Sequence, residues 1–234
     1  MRQKFLSITQ RLRLPSICTL CNQFHKENLA VCTPCLEFIT PLGFACQRCA
    51  YPLPDNTYLI CGHCIKKPPF FDRAYIAYPF EEPLRSLIHQ FKYHNGLYLA
   101  RFLAKLMLNA LPESSFTAEC LIPVPMHPKR LRQRGFNQAA ILTTLLARSL
   151  NIPYDLVKCT KNVNTVPQAS LNEAQRRSNL RKAFHCSDLP FKHVAIIDDL
   201  LTTGSTANEL AHILKNTGVE QVDIWCCARA VSKD

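Results

Sequence analysis

An apolar run ending in two acids and a hydroxyl-rich loop constrains the fold of this chain more than any other feature. Val194-Ala195-Ile196-Ile197 leads into Asp198-Asp199, and Thr202-Thr203-Gly204-Ser205-Thr206 follows two leucines later. Four successive apolar residues predict a strand buried on both faces, the habit of parallel sheets. Glu209 to Lys215 predict a helix that stops near Gly218. Thr206 and Glu209 have capping-box spacing, so the helix is expected to begin at Thr206. Strand, small polar loop and helix N-terminus together suit a phosphate, because first-turn N–H groups and the helix dipole favour an anion there. The carboxylates of Asp198 and Asp199 want partners that ribose hydroxyls or a Mg2+ ion would supply. Asp-Asp alone is commonly a capping acid in a solvated turn. Its combination with this strand and loop points to a phosphorylated sugar.

Alternating strands and helices extend back to residue 69. Ala74 to Pro79 reads as a strand, and Leu84, Leu87, Ile88 and Phe91 fall at i, i+3, i+4 and i+7 of a helix. Leu97 to Leu111 predicts a second helix, and Leu121 to Val124 a short strand ended by Pro125. Asn137 to Leu150 predicts a third helix and Val222 to Ala228 a last buried strand. Residues 158–180 are polar and weakly periodic, hence a long loop or one with local helix. The fold class expected is α/β, a doubly wound parallel sheet that binds ligands at the carboxyl ends of its strands.

The first 68 residues are different. Cys18/Cys21 and Cys32/Cys35 are pairs with ten residues between them, and Cys46/Cys49 and Cys61/Cys64 are pairs with eleven between them. Four thiolates form the closed shell of a structural zinc site, so about two Zn2+ ions are expected. Neighbouring pairs are expected to join, although spacing also permits the first pair to join the third. A redox Cys-x-x-Cys motif does not come four times in so short a stretch. Cys120, Cys159, Cys186, Cys226 and Cys227 are expected as small buried hydrophobes. Lys66-Lys67-Pro68-Pro69 marks the boundary, giving 1–68 as a metal-dependent module with a basic N-terminal tail and 69–234 as the α/β domain.

Positive charge is concentrated. Residues 127–182 hold 11 Lys+Arg against 2 Asp+Glu, a net +9, within a chain whose formal charge is +11. Such local density predicts an anionic partner. Lys129, Arg130, Arg132 and Arg134 are expected in a loop before Gly135; Arg176, Arg177, Arg181 and Lys182 form a second group. Arginine suits bidentate phosphate contacts. The surplus over one pyrophosphate fits a single-stranded nucleic-acid backbone, with Phe136, Phe184 or Tyr154 available for stacking. The N-terminal residues lack the apolar core of an export signal, and no stretch approaches the roughly 20 apolar residues of a membrane span. A reducing cytoplasm is therefore the expected location, and the chain is not expected to be transmembrane.

The run Ile196 to Thr206 resembles the signature of type I phosphoribosyltransferases. Pro123-Val124-Pro125-Met126-His127-Pro128, Arg134-Gly135-Phe136-Asn137-Gln138, Thr165 with Gln168, Leu171, Arg176 or Arg177 with Asn179-Leu180, and the cysteine pairs resemble the competence protein ComF (ComFC) family. Lys92-Tyr93 also matches that pattern. The resemblance implies a type I phosphoribosyltransferase-like domain preceded by a double zinc ribbon. It implies phosphoribosyl pyrophosphate (PRPP), with Mg2+, as ligand. Asp198 and Asp199 would contact the ribose, and Thr202, Thr203, Gly204, Ser205 and Thr206 the 5-phosphate. Arg130 and Arg134 become candidates for the pyrophosphate, in a loop that Arg132 shares. Arg176 and Arg177 fall where the family places a mobile flap.

Three functions follow as expectations. The first is a competence protein of DNA uptake that binds single-stranded DNA and PRPP, with a DNA-uptake helicase or DNA-loading protein as a further candidate partner. The second is an active phosphoribosyltransferase of nucleotide metabolism, for which no base-reading residues or general acid can be picked out. The third is a zinc-ribbon nucleic-acid adaptor with a vestigial pocket.

Overall fold

The computed structural model describes residues 16–76, 78–94, 96–112, 117–163 and 183–231. The N-terminal tail and the second basic segment, including Thr165, Gln168, Leu171, Arg176, Arg177, Asn179 and Leu180, lie outside the described residues.

The α/β portion is a parallel sheet. Its strands are β3 (Arg73–Tyr75), β4 (Tyr78–Pro79), β5 (Cys120–Pro123), β8 (His193–Leu201) and β9 (Gln221–Arg229). The order is β3-β9-β8-β5, with β4 also pairing β9, and every pairing is parallel. Central β8 and β9 carry near-continuous apolar sequence because helices cover both faces. One face packs helices α3 (Leu84–Tyr93), α4 (Ala100–Ala110) and α6 (Gln138–Leu150), with Leu84, Leu87, Ile88 and Phe91 all buried as their spacing requires. The other packs helix α7 (Ser205–Asn216) and the antiparallel strands β6 (Cys159–Lys161) and β7 (Phe184–Cys186).

The N-terminal module contributes β1 (Ser16–Ile17), β2 (Phe24–His25) and short helices α1 (Thr33–Leu36) and α2 (Gly62–Lys66). Its first half shares an apolar cluster with the α/β domain, where Cys18, Val31, Cys35 and Ile39 lie with Leu84, Phe91 and Leu103. The second half forms a small cluster around Cys46, Cys61 and Cys64.

Three local expectations need correction. Strand β8 does not end at Ile197; it runs on through both acids, because β9 stays alongside and pairs Asp198 with Cys226 and Leu200 with Ala228. The capping box does not form: α7 starts at Ser205 with Gly204 as its N-cap at φ 78°, a left-handed value that favours glycine. The basic run at 128–134 is not a loop but helix α5 (Pro128–Arg134). Pro128 opens it, the His127 Nδ1 accepts from the Lys129 N–H at 3.2 Å, and Gly135 closes it at φ 84°.

All five remaining cysteines are buried, as expected for apolar side chains. Two of them, Cys159 and Cys186, are also bonded to each other, directly opposite across β6 and β7. Among the described residues, no helix is long and apolar enough to cross a membrane.

Candidate functional site

The carboxyl ends of β5 and β8 open into a cleft of about 230 Å³. Strand alternation sends Asp198 and Asp199 to opposite faces of β8, yet both line this cleft because it sits at the strand end. Asp199 is 4% exposed and its Oδ2 lies 3.0 Å from Lys92 Nζ, at the end of α3. That ion pair gives the Lys92-Tyr93 motif a role the sequence did not disclose. Asp199 Oδ2 makes no well-directed hydrogen bond, so it keeps acceptor capacity for a hydroxyl. Asp198 accepts from the Asp199 N–H at 2.9 Å. Desolvation, then the neighbouring Asp199 charge, push its carboxyl up to about 7 against the pull of Lys92.

Thr202 and Thr206 line the same cleft, while Thr203, Gly204 and Ser205 make the turn between them. Thr203 Oγ1 lies 2.9 Å from Ser205 Oγ and accepts from the Ser205 N–H at 3.4 Å, holding the loop closed over the first turn of α7. An added Cβ on Gly204 would meet Leu201 and Phe71 at 3.9 Å, so dihedral angle, not crowding, demands glycine.

The facing wall is cationic. Arg130 and Arg134, one turn apart on α5, both line the cleft; Arg132 points elsewhere and is exposed. Lys161 reaches in from β6, its ammonium pKa lowered by burial and by Arg130, and supported by Asp198. Three cations thus face the two acids across one small opening, and Lys92 beside Asp199 is a fourth at its edge.

Gln138 was named in the sequence only as part of a motif. Its side chain lines the cleft and is 3% exposed. Arg134 donates to its Oε1 at 2.8 Å. Arginine only donates, so the atom facing it is the oxygen and the amide orientation is fixed. That leaves Nε2 buried with no partner, a donor awaiting an acceptor. Neighbouring Asn137 caps α6 through Ala139 N–H at 3.0 Å and donates to Val124 O at 3.1 Å, tying this helix to the end of β5.

Of the stacking candidates, Phe184 is buried and Phe136 packs on Phe91 at 5.9 Å, while Tyr154 is partly exposed. Tyr93 is the aromatic at the cleft, 56% exposed with the Arg134 guanidinium 4.8 Å from its ring centre.

The cysteines gather as Cys18, Cys21, Cys32, Cys35 and as Cys46, Cys49, Cys61, Cys64, the four sulfurs of each set within 4.8 Å of one another. Neighbouring pairs therefore join, and the first-with-third arrangement is ruled out. Cys21 and Cys32 Sγ are 3.8 Å apart, and Cys49 and Cys61 Sγ 3.7 Å. A tetrahedron with Zn–S bonds of about 2.3 Å has edges of about 3.8 Å. The donor set fits zinc. Burial opposes ionisation of Cys18, but N–H groups of Cys32, Cys21 and Leu20 outweigh it and bring the thiol to about 6. Burial and neighbouring thiols push Cys35 upward, so four thiolates there need a cation between them.

Residues 137–233 match the phosphoribosyl transferase domain family. The chain is 36% identical over 217 residues to competence protein F of Haemophilus influenzae, covering 88% of this chain and 93% of that protein. It is 32% identical over 228 residues to the DNA utilization protein YhgH of Escherichia coli strain K12, covering 94% of this chain and 100% of the relative. Competence protein ComFC of Bacillus subtilis strain 168 is 20% identical over 231 residues, 86% of this chain and 90% of that one. Matches this extensive take in both the cysteine clusters and the cleft, and the chain belongs to the competence protein F (ComF/ComFC) family.

Proposed function

We propose that this protein acts in DNA uptake for natural competence, holding PRPP with Mg2+ in the cleft and single-stranded DNA along the basic surface of α5. One observation carries the ligand reading: ribose-type acceptors Asp198 and Asp199 stand across one cleft from Arg130, Arg134 and Lys161. A phosphorylated sugar with a second anionic arm satisfies both walls at once. The unpartnered Gln138 amide adds a donor for a phosphate oxygen. If Mg2+ accompanies the ligand, Asp198 and Asp199 are the hard oxygen donors at hand.

Calorimetry with PRPP and Mg2+ tests this, and pH makes the test specific. The ribose needs ionised Asp198 as acceptor, and that group holds its proton up to about 7. Affinity should therefore fall roughly tenfold per pH unit below 7. Asp198→Asn should remove that dependence and leave only the ligand's own titration. The same shift lowers protein stability as pH rises from 3.8 to about 7, because the folded state keeps a proton that the unfolded chain releases. Absence of PRPP binding by the wild type would leave the zinc-ribbon adaptor as the reading.

For DNA, Arg132→Ala should weaken single-stranded binding without changing PRPP affinity, since Arg132 lies outside the cleft. Arg134→Ala should weaken both. The triple change at Arg130, Arg132 and Arg134 should flatten the slope of log K against log salt by about 2, at about 0.7 per lost phosphate contact. An unchanged slope removes α5 as the DNA surface.

A further inference from the structure

Arg229 ends strand β9 and is buried, and its guanidinium joins three parts of the chain. Nε donates to the Cys49 carbonyl at 3.0 Å. One terminal nitrogen donates to the Leu201 carbonyl at 3.2 Å and to the carbonyls of Thr202 and Ala230. The Tyr51 ring lies 5.9 Å away. Cys49 belongs to the second four-cysteine cluster, and Thr202 lines the cleft at the start of the phosphate loop. A single rigid fork therefore spans cluster and loop.

We propose that Arg229 is a positioning residue that couples metal binding at Cys46, Cys49, Cys61 and Cys64 to ligand binding at the phosphate loop. The Cys49 carbonyl sits in a turn closed by Ala50 N–H to Cys46 O at 2.8 Å and Cys46 N–H to Tyr51 O at 2.8 Å. A metal gripping Cys46 and Cys49 fixes that turn, and with it the acceptor that orients Arg229. If the cluster opens, the buried guanidinium loses this partner and its hold on Leu201 and Thr202 shifts. The first cluster meets the core through apolar side chains instead. Coupling of this kind is reciprocal, so ligand in the cleft must tighten metal at the second cluster by the same factor. This rests on the reading of the cleft as a PRPP site.

The test is an equilibrium competition between the zinc-loaded full chain and a chromophoric chelator, with and without PRPP and Mg2+. Ligand should raise the affinity of one of the two zinc ions by about 5- to 150-fold and leave the other unchanged. Arg229→Met should abolish the difference. Arg229→Lys should abolish it too, because a single ammonium cannot keep the planar fork. Both ions indifferent to ligand, with calorimetry reporting PRPP bound, overturns the coupling, as does full coupling in Arg229→Lys. Wild type that binds no PRPP in calorimetry overturns the cleft reading and the coupling with it.

Discussion

Asp199→Ala should cost about 3 kcal/mol of folding stability, far more than a surface ion pair would, and should also abolish ligand binding. The side chains of Asp199 and Lys92 are only 6% and 19% exposed, and they meet at 3.0 Å. Breaking a buried pair by removing one partner costs about 3–5 kcal/mol, chiefly because the other charge stays behind unpaired. Lys92 ends α3 beside the cleft and can turn partly towards water, which places the cost at the lower end. Lys92→Met should cost a similar amount by stranding Asp199. Combining Lys92→Met with Asp199→Leu should recover most of the loss, since an apolar pair of similar volume carries no desolvation penalty. It should still bind no PRPP. Denaturant unfolding of Lys92→Met, Asp199→Leu and the double closes the cycle and measures the coupling. Singles within about 1 kcal/mol of wild type would mean that solvent already screens the pair.

That pair also marks where the sequence stopped being legible. Asp198 and Asp199 were visible because strand, acids and loop are contiguous, and local propensities agree along the run. The residues around them come from elsewhere: Lys92 from α3 and Lys161 from β6 face the acids, Gln138 from α6 lines the same cleft, and Arg229 from the end of β9 holds the carbonyls of Leu201 and Thr202. Nothing local connects such positions until the sheet brings them to one end. Helix α5 was missed for another reason. Pro-Lys-Arg-Leu-Arg-Gln-Arg has no apolar stripe, and the structure buries none of its residues. Only its ends signal a helix, Pro128 at the start and Gly135 at the stop. The capping box fails in a similar way, since Thr206 and Glu209 have the right spacing but Gly204, in the left-handed region, takes the N-cap position two residues earlier. In the cysteine module the ligands and the joining of neighbouring pairs match the expectation, although spacing alone also permits the first pair to join the third, because it leaves the path of the chain between pairs free.

Metal removal should have the largest effect on this protein, and the two clusters should not be equivalent. Metal analysis of the intact chain should give about two Zn per chain. Apparent zinc binding in small thiolate sites is about 10–16 kcal/mol, most of it realised as folding of the surrounding segment. Cys18, Cys35, Val31 and Ile39 from the first cluster pack in the same apolar group as Leu84, Phe91 and Leu103. Cys18→Ser with Cys21→Ser should therefore uncover the sheet's helical face as well as release one ion. Exposing Val31 and Ile39 alone forfeits about 3–6 kcal/mol, and a fall in Tm on the order of 10 °C should follow for a chain of this size. Cys46, Cys61 and Cys64 form a small cluster with Tyr51, Leu53 and Ile60, held to the domain chiefly through Ala50 and Arg229. Cys46→Ser with Cys49→Ser should then unfold locally, with new protease cleavage within residues 43–66 and a much smaller change in Tm. The two clusters would divide the labour: the first keeps the core covered, the second sets the phosphate loop. Equal falls in Tm from the two double substitutions would defeat this division, because they would mean that the second cluster supports the core as fully as the first.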